Sequence, residues 1–234
     1  MQKPQRLLWN LYGIFWSLYG RYAWDDQCWQ VSEPPEHIVH IVRERHVNPD
    51  EWVLDAGCGT GNYAIALAKA GFHVIGTDFA AGMLAKAQDK VTDDLSGCIA
   101  FRRADLNAPL EFPAAHFDHI LSISVLQAVA NPLFTLDELH RVLKPGGTLV
   151  LSLPKRDPGV PSCSMGELIR YRIRHLERRT LGKMLLVIVK SYADRYHNRP
   201  TWTVPQAQKM LSEIGFEMVA LEDGRQLLVI AKKT

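Results

Sequence analysis

"VLDAGCGTGNYAIALAKAGFHVIGTD", Val53 to Asp78, is the stretch that decides the fold. An apolar run ends in Asp55, and three glycines follow at alternate positions, Gly57, Gly59 and Gly61. A helical period then closes at Gly71, and a second apolar run ends in Asp78. This reads as strand, turn, helix, strand. Side-chain-free residues let the chain turn sharply and let a ligand lie against bare amides. Asp78 follows Asp55 by 23 residues, where a carboxylate can accept from both hydroxyls of a ribose.

The same rhythm extends outward. Strand-like runs are "WVLDA", "HVIGTD", "IAFRRAD", "FDHILSISV", "TLVLSLP", "FEMVALE" and "RQLLVIAKK", with helical periods between the earlier ones. Alternation of this kind predicts a parallel sheet covered on both faces. Asp223-Gly224 between the last two runs predicts a closing antiparallel hairpin. Lys144-Pro145-Gly146-Gly147 reads as the stop of the helix begun at Pro132, with the fifth strand starting at Thr148. The expected layout is therefore a helical lid over 1–50, a core over 51–154, a helical insertion over 155–203, and a helix plus hairpin over 204–234 that completes the core. The lid and the insertion are expected over the carboxyl edge of the sheet, where open α/β sheets bind ligands.

Composition narrows the class. With 234 residues and a formal charge of +2, the chain has no overall field to recruit nucleic acid or an anionic surface. Cys28, Cys58, Cys98 and Cys163 form no CxxC pair, which argues for free thiols in a reducing compartment and against zinc. The apolar N-terminal run is broken by Asn10, Gly13 and Ser17, so neither a leader nor a spanning helix is expected, and the expectation is a cytoplasmic protein. His37 and His40 lie three apart on an expected helix without a completing ligand set, so no metal site is expected.

The ligand of the glycine turn is decided by charge. Dinucleotide sites use GxGxxG and present a helix N-terminus to a pyrophosphate. Here the pattern is GxGxG, and Asp55 before it would repel a phosphate and attract a cation. A nucleoside bearing a sulfonium and an ammonium group, S-adenosylmethionine, satisfies both requirements.

"VLDAGCGTG", "VIGTDFAAGML", "RRADLNAPLEFPAAHFDHILS" and "LHRVLKPGGTLVLS" together resemble the successive motifs of the class I S-adenosylmethionine-dependent methyltransferases, in particular the subgroup acting in quinone biosynthesis and natural-product methylation. The resemblance spans roughly residues 50 to 153. It implies a Rossmann-like, seven-stranded, mostly parallel sheet of order 3-2-1-4-5-7-6 with strand seven antiparallel. It further implies that Asp55, Ala56, Gly57, Gly59 and Gly61 face the methionine portion of the cofactor and Asp78 the ribose. Phe79 and Met83 would pack near adenine or ribose, Asp105 and Leu106 would meet the adenine edge, and Ser122 and Ile123 would lie below the methyl group. Where the family often carries a polar or His pair, this chain reads Leu126-Gln127-Ala128, so no catalytic base is assigned.

Two segments leave alternatives open. The aromatic block from Trp9 to Trp29 reads either as a packing helix, through Trp9, Tyr12 and Trp16, or as a lid whose rings attract the sulfonium, with Tyr19, Tyr22 and Trp29 as its contacts. The basic insertion, with "MLLVIV" at 184–189, reads either as a solvated face over core or as a contact for a lipophilic substrate or a membrane surface through 168–190. The expected partner is a small, aromatic or lipophilic methyl acceptor. Rival readings are a non-catalytic S-adenosylmethionine-binding module, an RNA methyltransferase and an NAD(P)-dependent dehydrogenase. Oligomeric state is not readable.

Overall fold

The computed structural model describes residues 14–19, 33–45, 50–155, 169, 173, 180–196, 200–224 and 226–234, with the backbone alone at 190–196. Its strands are β1 (Trp52–Ala56), β2 (His73–Asp78), β3 (Ile99–Arg103), β4 (Phe117–Ile123), β5 (Leu143–Pro154), β6 (Phe216–Asp223) and β7 (Gln226–Lys233). They form one sheet of order β3-β2-β1-β4-β5-β7-β6. β7 runs antiparallel to both neighbours and the other pairings are parallel, as the sequence led us to expect.

The central strands alternate between two apolar layers because side chains alternate along a strand. Leu54, Ile120, Leu149, Leu151 and Val229 face one layer. That layer is covered by α5 (Pro132–Val142) and α7 (Val204–Ile214) through Leu136, Leu139 and Leu211. Val53, Val74, Leu121, Val150 and Ile230 face the other. It is covered by α2 (Pro35–Arg43) and α3 (Asn62–Lys69) through Ile38, Val42 and Leu67. Each fully buried leucine contributes about 1.5–3 kcal/mol by leaving water. Helix ends are specified locally. Asn131 accepts from the Phe134 amide at 3.2 Å to start α5, and Thr203 with Gln206 forms a capping box for α7, which stops at Gly215 with φ 100°.

α4 (Ala81–Gln88) packs on β2 and β3. Helical residues 14–19, here α1, lie against the start of α4. A side chain at Gly82 would run into the backbone of Ser17. α6 (Leu181–Tyr196) meets α1 through Val187, which clusters with Tyr19.

β5 begins at Leu143, five residues before the expected Thr148. Phe117 pairs with Leu143 ahead of a bulge, and the regular register resumes at His119↔Thr148. Gly146, at φ 74°, lies within the looped-out residues. The Lys-Pro-Gly-Gly run therefore ends the helix as expected, but inside a bulged strand rather than a free turn.

Candidate functional site

The sheet order reverses at β1 and β4, so their carboxyl ends part and open a crevice. The glycine turn sits there. The amides of Gly57 and Cys58 donate to the Thr77 carbonyl at 2.7 and 2.8 Å. The Gly59 amide donates to Asp78 Oδ2 at 3.0 Å and the Ala80 amide to Asp78 Oδ1 at 2.8 Å. Gly57 has φ 84°, and any side chain there would collide with Val125. Gly61 has φ 78° as the residue before α3, and Phe101 and Ala87 fill the space a side chain would need. Both positions demand glycine twice over, by backbone and by contact.

Asp55 lies beneath this turn, 1% exposed. Its carboxylate takes a hydrogen bond from the Ala64 amide in the first turn of α3, while Oδ2 is buried with no hydrogen-bond partner. Burial first, and the nearby Asp78 charge after it, push its pKa from 3.8 up to about 7 against the pull of the Ala64 amide. The helix N-terminus that would meet a pyrophosphate is thus already occupied by the protein's own carboxylate. An orphaned, buried carboxylate oxygen favours a cation nearby and disfavours a phosphate. Asp78 is likewise raised, chiefly by burial, with the amides of Ala80, Gly59 and Phe79 opposing. The Cys58 thiol is pushed well above its usual range by burial and by Asp55 and Asp78, so it stays protonated and serves as packing rather than as a nucleophile.

A cavity of about 140 Å³, partly open to solvent, lies over the turn. Of the residues expected at the site, Gly57, Gly59, Asp78, Phe79, Met83, Asp105, Leu106 and Ile123 line it. Asp55, Ala56, Gly61 and Ser122 do not: Asp55 and Ser122 sit below the floor, fully enclosed, and Gly61 shapes the turn from behind. Ser122 Oγ is buried without a hydrogen-bond partner. Phe79 is held by Arg103, whose Nε donates to the Phe79 carbonyl at 3.1 Å and whose guanidinium lies 5.9 Å from the ring centroid. Asp105 Oδ1 accepts from the amide and side chain of Asn107 at 3.0 and 2.8 Å, which fixes the carboxylate at the cavity rim.

Sequence reasoning missed the wall formed by Ser124 and Val125. Ser124 has φ 59°, and the other described non-glycine residue with positive φ is Ala115, in the turn before β4. The strained backbone is held from β5 and β7. The Ser124 amide donates to Ser152 Oγ at 2.7 Å, and both hydroxyls donate to Gln226 Oε1, at 3.1 Å from Ser124 and 2.7 Å from Ser152. Such strain persists where surrounding structure over-determines it, often at working sites. A serine following a strand carries no sequence signal for positive φ, so this wall was not legible.

The lid contact also differs from the expectation. Trp16 lines the cavity. Tyr19 is 2% exposed and packs with Phe15, Trp16 and Val187 away from it, stacked on Phe15 with centroids 5.8 Å apart. One helical turn separates the two readings: α1 directs 16 inward and 19 toward α6. Tyr22 and Trp29 fall outside the described residues.

Fold and site together give an α/β protein with a cavity over its glycine turn and, beside that turn, a buried carboxylate oxygen without a hydrogen-bond partner. Comparison with known proteins then places it. Residues 54–151 match the family described as "Methyltransferase domain". It is 33% identical over 172 residues to a demethylmenaquinone methyltransferase of Clavibacter sepedonicus, covering 74% of this chain and 62% of that one. It is 28% identical over 220 residues to a demethylmenaquinone methyltransferase of Alkalihalophilus pseudofirmus, covering 90% and 89%. The chain thus spans less than two thirds of the Clavibacter relative. Magnesium protoporphyrin IX methyltransferase from Synechocystis PCC 6803, solved with bound S-adenosylhomocysteine, superposes with a TM-score of 0.60 at 20% identity, over 86% of this chain and 82% of that one. That likeness speaks to fold.

Proposed function

We propose that this chain is an enzyme that transfers a methyl group from S-adenosylmethionine to an O, N or C atom of a small, lipophilic acceptor. The observation that carries the reading is the buried Asp55 carboxylate oxygen that has no hydrogen-bond partner, beside a glycine turn whose Gly57 and Gly59 line the cavity. The cofactor supplies an electrophilic methyl on sulfur, and the protein's task is to bind, orient and keep out water. In this reading Asp55 and the Gly57–Gly59 backbone neutralise and seat the cationic methionine end. Asp78, whose Oδ2 takes the Gly59 amide and Oδ1 the Ala80 amide, retains lone pairs for the ribose hydroxyls. Phe79, Met83 and Leu106 form the slot for adenine, with Asp105 at its amine edge.

The acceptor side is the wall of Ile123, Ser124, Val125, Ala128 and Val129. Its mostly apolar make-up suits an aromatic or isoprenoid-like acceptor, and two relatives bear quinone-methyltransferase names. We assign residues 1–50 and 155–203 to the lid and the acceptor-side insertion. The test is calorimetric titration with S-adenosylmethionine, S-adenosylhomocysteine and NADH. Micromolar binding of both nucleosides, lost in Asp78→Ala, with no NADH binding, upholds the reading. Failure of both nucleosides to bind overturns it.

A further inference from the structure

Asn107 lines the cavity beside Asp105, and its side chain reaches two loops at once. Its Oδ1 accepts from the Ala130 amide at 2.6 Å, and its Nδ2 donates to Asp105 Oδ1 at 2.8 Å. A backbone N–H can only donate, so Ala130 dictates which end of the Asn107 amide is oxygen and thereby turns the amine toward Asp105. The backbone amide of Asn107 donates to the same carboxylate oxygen at 3.0 Å, and no described residue donates to Asp105 Oδ2. The loop beneath is fastened separately. The Ala108 amide donates to the Asp105 carbonyl at 3.0 Å, Thr135 Oγ1 on α5 donates to the Leu106 carbonyl at 2.8 Å, and Glu138 Oε2 on α5 accepts from the Leu110 amide at 2.8 Å. The backbone is therefore held without the Asn107 side chain, which adds the orientation of one carboxylate and the tie to Ala130.

We infer that Asn107 is a positioning residue that makes the nucleoside pocket selective for a 6-aminopurine over a 6-oxopurine. The inference rests on the proposed function, in which Asp105 meets the amine edge of the base. An ionised carboxylate accepts hydrogen bonds and cannot donate them. With Oδ1 engaged twice, Oδ2 is left for the ligand in a fixed place. An exocyclic amine pairs with it there, whereas a carbonyl oxygen sets a lone pair against a negative charge. A 6-oxopurine does carry a donor, the neighbouring ring N–H. A carboxylate free to turn would swing to that donor and accept either base; one clamped by Asn107 would not. Rejection of the wrong base thus comes from an acceptor left unmet and from the repulsion across it.

The test is calorimetric titration of the full chain with S-adenosylhomocysteine and S-inosylhomocysteine, whose bases carry an amine and a carbonyl at that edge. The parent should bind the adenine compound at least about thirtyfold more tightly. Two variants part the two bonds. Asn107→Asp keeps an acceptor for Ala130 and removes the donor to Asp105. Asn107→Ser keeps a hydroxyl donor for Asp105 Oδ1, which already lies 3.0 Å from this residue's own backbone nitrogen, and is a bond too short for Ala130. Selectivity should fall below about fivefold in Asn107→Asp and stay within about threefold of the parent in Asn107→Ser. A residue that only tied the loops together would give the reverse order, because Asn107→Ser is the variant that loses the tie. Equal binding of the two compounds by the parent, selectivity unchanged in Asn107→Asp, or selectivity lost in Asn107→Ser overturns the assignment while the proposed function stands. Failure of the parent to bind S-adenosylhomocysteine overturns both.

Discussion

Replacing Asp55 by Asn separates the cost of its buried carboxylate from its use. In the folded chain this carboxyl keeps its proton up to about pH 7, whereas an ordinary Asp loses it near 3.8. Between those values the folded state binds more protons than the unfolded one, so stability falls as pH rises and levels off above 7. At 1.36 kcal/mol per unit, the full cost of ionising Asp55 in place is about 4 kcal/mol, of which about 2.5 kcal/mol accrues between roughly pH 5 and pH 8.5. Asn keeps the shape and the acceptor for the Ala64 amide but has no charge to bury. Urea denaturation without ligand should show the variant gaining on the parent by about 2–3 kcal/mol across that pH range. The same variant should bind S-adenosylmethionine at least tenfold more weakly at pH 8. Below pH 7, binding by the parent should release nearly one proton, seen as a dependence of the calorimetric heat on buffer. A stability difference that stays flat with pH, or affinity unaffected by the substitution, would refute the assignment of Asp55 as the cationic ligand's counter-charge.

Other consequences follow from single contacts. Gly57→Ala meets both a positive φ and the Val125 side chain; we expect loss of more than about 2 kcal/mol in stability and no measurable cofactor binding, by thermal melting and calorimetry. Gly82→Ala pushes against the backbone of Ser17, so it should displace α1 and weaken cofactor binding while the melting of the core stays nearly unchanged. Trp16→Ala should lower nucleoside affinity, whereas Tyr19→Ala should lower stability through its packing with Phe15 and Val187; the reverse pattern would show that the lid contact is misassigned. Glu51 and His119 are joined at 2.9 Å and 5% and 3% exposed, at the amino end of the sheet. His119→Ala should lower stability in unfolding experiments by removing the buried hydrogen bond to Glu51, with cofactor affinity per folded molecule unaltered.

Much of this was legible because local chemistry and global fold agree over 51–154. Alternating apolar runs and the glycine turn encode strand and turn geometry there, and Asp223-Gly224 encodes the closing hairpin beyond it, whereas the strand order was implied by the family resemblance. What escaped was set by tertiary contact. The early start of β5 depends on Phe117 pairing with Leu143 across a bulge. The wall at Ser124 depends on Ser152 and Gln226, 28 and 102 residues downstream. Trp16 rather than Tyr19 reaches the cavity because α6 occupies the other side of α1, and residues three apart on a helix point in directions that only a neighbour can choose between.

The two ends of the sheet differ in how their polar groups are settled, and that difference locates the chemistry more firmly than shape alone. At the amino end Glu51 meets His119, and Asp118 accepts from the Trp52 amide at 2.9 Å and from Lys144 at 2.7 Å. Those acids have partners of opposite charge or fixed donors and gain nothing from a ligand. At the carboxyl end two acids are raised by burial, one buried carboxylate oxygen has no partner, and Ser124 is held in a left-handed conformation. Each of these lowers the stability of the unliganded chain, and a cationic nucleoside relieves the electrostatic part by lowering the cost of ionising Asp55. A fold selected for stability alone would place Asn or Ser at 55, and the proposed role as counter-charge to a cationic ligand accounts for the acid there.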